Sequence, residues 1–167
     1  MKKETIENIL NFLKEKEGKK IPQNWNLIEK LENHPNDNKY TYKGSLYLFG
    51  SGIKKLPNYL EVKGYLDLQG CDKITELPNK LFVYGGAVLM GLKQLTKLSN
   101  IMFVKNNLFL SYSNITELPY QLFVGDDLYI IDTPLEDKYT DEEIYKIVAS
   151  TGGKINGTIV RSWKKIQ

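Results

Sequence analysis

Histidine, cysteine and arginine each occur once in the 167 residues, as His34, Cys71 and Arg161. A lone cysteine excludes an internal disulfide framework and any multi-cysteine zinc or iron–sulfur site, and it suits a reducing compartment. A lone histidine leaves a Ser–His–Asp triad one base to draw on and excludes a multi-histidine metal centre. P-loop, dinucleotide-binding, nucleophile-elbow and metal-ligand motifs are missing too, so the chain reads as non-enzymatic, with no cofactor and no metal. The other 22 basic residues are lysines, and they stand beside fourteen asparagines and eleven tyrosines, the usage of AT-rich coding sequence. Phosphate and base recognition favours the planar guanidinium, so the scarcity of arginine weakens what a formal charge of +3 suggests about nucleic acid.

Long apolar runs are also lacking, which argues against a membrane span. At the N-terminus Glu4, Glu7 and Asn8 interrupt any secretory apolar core, and the expected location is cytoplasmic. Ile6, Ile9, Leu10 and Leu13 fall at helical spacing and predict an amphipathic helix over about residues 3–17.

What the sequence does contain is a repeat. Leu56-Pro57, Leu77-Pro78, Leu98-Ser99 and Leu118-Pro119 follow one another at intervals of 21, 21 and 20 residues. Leu46/Leu48, Leu66/Leu68, Ala87/Leu89, Leu108/Leu110 and Leu128/Ile130 alternate as short strands with one buried face. Gly44, Gly64, Gly85 and Asn106 are expected to allow a tight corner before each strand. Leu60/Val62, Leu81/Val83, Met102/Val104 and Leu122/Val124 supply a second inner wall. One such unit cannot bury its apolar side alone, whereas stacked units can.

The pattern L-x-L-x-x-(S/C/T)-x(1–2)-I-x-x-L-P resembles a short bacterial-type leucine-rich repeat over about residues 42–135. The resemblance implies a polar ladder at the position occupied here by Ser51, Cys71, Leu92, Ser113 and Thr133. Leu92 departs from it, which predicts a local deviation in its unit, while Cys71 becomes a buried, inert thiol. The Val-x-Gly segment before each strand is a second departure, and it points toward a flattened β-solenoid. Large bacterial effectors with this kind of repeat add a ligase domain, and no comparable domain stands in these 167 residues.

The expected fold is therefore an α+β repeat, a leucine-rich-repeat-like β-solenoid of about five 20–21-residue rungs with helical caps at both ends. Its segments are a helical N-terminal cap over 1–38, the solenoid over 39–135 and a helix–strand cap over 136–167, all in one structural domain. Trp25, Leu27, Ile28 and Leu31 mark a second helical segment. Thr140 and Glu143 form a capping box before a helix that Gly152-Gly153 ends, and a last strand follows at about 154–161. His34 reads as an exposed loop residue.

Residues between the buried positions of a strand point outward. Tyr47, Phe49, Tyr65, Asp67, Val88, Met90, Phe109, Tyr129 and Ile131 are the candidate partner-binding set, because aromatic and methionine side chains bury much area at small entropic cost. A competing stripe of Glu61, Phe82, Phe103 and Phe123 lies on the back, covered by a terminal helix or by a second copy of the chain. The expected function is a protein-binding module that is a monomer or homodimer and makes no membrane contact. One concrete form, by analogy with accessory proteins of bacteria and their phages, is an inhibitor of a host defence or enzyme complex. The alternative is nucleic-acid binding, with aromatic rings on bases and Lys54, Lys55, Lys63, Lys93, Lys97 and Lys105 on phosphates. Asp67 and Asp127, three rungs apart and about 14 Å by strand spacing, stand too far from each other for a retaining glycosidase pair.

Overall fold

The computed structural model describes residues 25–162. Contacts divide the chain into two units, residues 1–30 and 31–167. The helix predicted over residues 3–17 lies outside the described residues. Helix α1 (Trp25–Glu32) begins the described chain, and its Leu31 is fully buried.

From there the chain winds into a parallel β-solenoid of about four turns, each about 21 residues long. Strands β1 (Lys39–Tyr42), β3 (Tyr59–Val62), β5 (Lys80–Val83), β7 (Ile101–Val104) and β9 (Gln121–Val124) build one parallel sheet. Strands β2 (Leu46–Tyr47), β4 (Leu66–Asp67), β6 (Ala87–Val88), β8 (Leu108–Phe109) and β10 (Leu128–Tyr129) build the other. The Leu-x-Val pieces thus form the longer strands, of four residues against two, and the wall opposite the Leu-x-Leu strands is a sheet in its own right. Parallel strands buried on one side need matched apolar ladders, and here Leu60, Leu81, Met102 and Leu122 stack in register, as do Val62, Val83, Val104 and Val124. With Leu46, Leu66, Ala87, Leu108 and Leu128 from the second sheet they fill the interior, and each is 1% exposed or less.

Each turn needs a left-handed residue after its short strand. Gly50, Gly70 and Gly91 supply φ values of 61°, 71° and 72°, and Tyr112 and Asp132 hold the equivalent places at 63° and 53°. The glycines before the short strands stand at bends, as expected, and two of them, Gly64 and Gly85, also face the neighbouring turn closely. Gly85 is required by close approach, since a Cβ there would stand 2.9 Å from the backbone of Gly64 in the preceding turn.

The polar ladder forms in part. Cys71 Sγ donates to Leu48 O at 2.9 Å and lies 3.5 Å from Ser51 Oγ, while Thr133 Oγ1 donates to Ile130 O at 2.6 Å. The deviation expected at Leu92 is not seen in the strands: β6 pairs in register with both neighbours, and Gly91 keeps the common turn geometry. The effect falls on the next turn, where Ser113 Oγ is buried without a hydrogen-bond partner.

After β10 two helices interrupt the winding, α2 (Pro134–Lys138), capped by Thr133, and α3 (Asp141–Ser150), opened by the Thr140/Glu143 capping box. The single last strand expected at about 154–161 is two strands around a corner. β11 (Lys154–Ile155) adds to the first sheet and β12 (Ile159–Val160) to the second, giving six strands in each. Among the described residues no helix is long and apolar enough to cross a membrane.

Candidate functional site

The outer face of the β2-containing sheet carries the nine residues singled out from the sequence. Register sets Tyr47 beside Asp67, Asp67 beside Val88, Val88 beside Phe109, and Phe109 beside Tyr129. Exposure falls steeply along this row. Tyr47, Phe49 and Tyr65 are 60%, 66% and 53% exposed, and Asp67, Val88, Met90, Phe109 and Ile131 are half-buried. Tyr129 is not an open position: it is 8% exposed, its ring stacks on Phe109 at 4.4 Å, and burial raises its pKa. The aromatic surface is therefore concentrated on β2 and the start of β4 rather than spread over the whole wall.

Local chemistry explains that concentration. Gly86 leaves room for the Tyr65 ring, whose edge would lie 3.2 Å from a Cβ there. The face carries no lysine, and its two acids serve the fold. Asp67 Oδ1 accepts from Gln69 N at 3.0 Å, and Asp127 Oδ1 accepts from Thr158 N at 2.7 Å and from Thr158 Oγ1 at 3.1 Å. Strand β2 is also an edge: β4 is its one strand neighbour. In a parallel pair alternate residues turn their backbone groups the other way, and Ser45, Tyr47 and Phe49 direct theirs away from β4. These groups make no backbone hydrogen bond among the described residues.

The opposite sheet has a face of different character. Phe82, Phe103 and Phe123 are in register and half-buried, with Glu61 continuing their row and Lys154 ending it. Tyr59 packs on Phe82 at 5.6 Å and Tyr84 on Phe103 at 5.6 Å, and the Phe82 and Phe103 rings stack at 6.4 Å. Lys39, Lys63 and Lys80 stand among these rings, with Lys63 Nζ 4.3 Å from the Tyr84 centroid and Lys80 Nζ 5.6 Å from that of Tyr59. Lys43 and Lys105 occupy the same strand phase as Lys63 and Tyr84. Glu61, 3% exposed, is bridged by Lys39 and Lys63 and accepts from Thr41 Oγ1 at 3.3 Å. The hydrogen bond from Lys39, then that from Lys63, brings its pKa down to about 2.

Sequence reasoning found the phenylalanine stripe and missed the lysine and tyrosine rows on either side of it. The signal was present: Lys39 and Lys80, and Lys63 and Lys105, sit two units apart at equal phase. Cys71 is fully buried, with its pKa raised chiefly by that burial, as its ladder position predicted. His34 is half-buried rather than exposed: its ring meets Tyr40 edge-on at 5.0 Å and its Nε2 lies 3.1 Å from Asn38 O. A third row, also missed, joins Asn58, Asn79 and Asn100 behind the Leu-Pro turns, where Asn58 Oδ1 accepts from Asn79 N at 3.2 Å and Asn79 Oδ1 from Asn100 Nδ2 at 2.5 Å. Among the described residues no group of three or more His, Cys, Asp or Glu is placed to hold a metal ion. Comparison of the chain with protein-family models, curated proteins and solved structures finds no match.

Proposed function

We propose that the protein is a non-enzymatic binding module whose contact surface is the aromatic corner formed by Tyr47, Phe49 and Tyr65. The observation that carries the reading is their exposure, more than half of each side chain, on neighbouring strands of one sheet. Three aromatic side chains left in water on a rigid support suit a protein contact, since they bury large area at little cost in entropy. The edge of β2 strengthens it, because unpaired backbone groups beside apolar side chains suit an added strand of a partner. Asp67, Val88, Met90, Phe109 and Ile131 extend the surface at lower exposure, and Tyr129 supports Phe109 from beneath. A steric inhibitor of an enzyme complex is one form this module takes.

The test is a Tyr47→Ser/Phe49→Ser/Tyr65→Ser variant that keeps the wild-type circular dichroism spectrum. A partner captured by the wild-type chain is purified and added back. Slower amide exchange over residues 45–49 is expected, together with a loss of at least about tenfold in affinity for the variant. Equal affinity of both chains for that partner would sink the reading.

A further inference from the structure

The two sheets differ in the sign of their exposed charge. On the outer face of the β1-containing sheet, Lys39, Lys43, Lys63, Lys80, Lys105 and Lys154 surround a stripe of phenylalanines flanked by tyrosines, and Glu61, the one carboxylate there among the described residues, is already bridged by two of the lysines. The opposite face has two acids, Asp67 and Asp127, and no lysine. A net charge of +3 does not show this segregation, and Lys54, Lys55, Lys93 and Lys97 lie in the turns rather than on either face. Of the lysines expected to meet phosphate, Lys63 and Lys105 alone stand on an aromatic face.

We propose that this face binds single-stranded nucleic acid independently of base sequence. The proposal does not rest on the reading of the Tyr47 corner, which lies on the other sheet. Three properties select this occupant. Lysines at both margins complement a polyanion. The rings of Phe82, Phe103 and Phe123, with Tyr59 and Tyr84 beside them, form a platform on which planar bases stack, and that platform has no counterpart in an acidic peptide. The six strands make a wall about 24 Å long at the strand spacing of ~4.8 Å, enough for a few nucleotides and small for a bilayer. Lysine acts as a point charge on phosphate without reading bases, which fits an almost arginine-free chain. Glu61 acts as a brake, because it occupies Lys39 and Lys63 and leaves Lys43, Lys80, Lys105 and Lys154 for phosphate.

Fluorescence anisotropy of a labelled oligothymidylate with the full chain tests this. With about four phosphates neutralised, log K should fall against log salt with a slope of about −3. Lys80→Glu/Lys105→Glu should weaken binding at least about tenfold, while Lys93→Glu/Lys97→Glu, in the turns, should have much the smaller effect. Glu61→Gln should bind more tightly than wild type with a steeper salt slope, a gain that misfolding cannot mimic. The proposal is overturned by an absence of binding at low salt, or by equal losses in the two lysine pairs. It is also overturned if inorganic polyphosphate competes as well as the oligonucleotide at equal charge, since the rings would then contribute nothing. Binding to phosphatidylserine vesicles under conditions where the oligonucleotide fails would assign the face to an anionic membrane instead.

Discussion

Ser99 occupies the place held by Pro57, Pro78 and Pro119 in the other turns, and it is buried with its hydroxyl unpartnered. No backbone hydrogen bond from its N–H exists among the described residues, so a proline there forfeits nothing. Ser99→Pro removes a buried polar group and restricts the unfolded chain, so it should stabilise the fold by about 0.4–1 kcal/mol and raise Tm by about 1–4 °C. A thermal melt with unchanged or lower Tm would show that this turn differs in backbone from its three counterparts. Glu61 makes a second residue-scale prediction, with its sign fixed by the direction of its shift. Its carboxylate titrates lower in the folded chain than in the unfolded one, so its contribution is complete above about pH 4.5 and is lost as pH falls toward about 2. Glu61→Gln should therefore flatten the acid limb of stability against pH in that window and leave the slope near neutrality alone. An unchanged acid limb in urea melts of the variant would assign acid sensitivity to other carboxylates.

At the scale of elements, Arg161 is what fixes the two helices to the end of the second sheet. Its Nε donates to Asp141 Oδ1 at 2.6 Å, Nη1 to Glu136 O at 2.6 Å and Nη2 to Tyr139 O at 2.5 Å, a fork that spans α2, the bend after it and the start of α3. Lysine carries the charge but cannot form that planar set, so Arg161→Lys should cost about 2 kcal/mol. Hydrogen exchange should quicken over residues 134–150 while β3, β5 and β7 stay protected, and uniform loosening of every strand would contradict a local role. Elements with a period were legible in the sequence, because an apolar ladder one unit apart can satisfy itself only by stacking. α2 falls where the expected solenoid, over 39–135, meets the expected cap, and the repeat span covers the Thr133-Pro134 pair that is otherwise a recognisable helix start. The candidate site was legible in its members and not in its exposure. Alternation says that Tyr129 points outward, but the ring of Phe109 that covers it belongs to a different strand. The lysine rows do not show in a net charge, because the sheets sort lysine by its phase within each turn.

Among the described residues the solenoid is a stack in which each strand pairs with the turn before and the turn after it, the arrangement that makes solenoid stability a sum of neighbour terms. Such a chain should tolerate the loss of a complete unit and fail on the loss of a fraction of one. Removing residues 83–103 joins Phe82 to Val104, so a hybrid of β5 and the end of β7 pairs with β3 and β9, and β4 meets β8. The new neighbours fit: Ser113 gains Cys71 in place of Leu92, and Asn106 lies over Gly64 in place of Gly85. Tyr65 must swing from its seat against Gly86, because Asn107 takes that place, and at 53% exposure it has solvent to swing into. The shortened chain should keep its strand circular dichroism and unfold cooperatively, with an m-value lower by about an eighth, in proportion to surface lost with 21 of 167 residues. Removing half that length should leave no cooperative transition, because every outward side chain beyond the cut would need a new register. If the half-unit deletion also melts cooperatively, the register of the apolar ladders is not what holds the turns together.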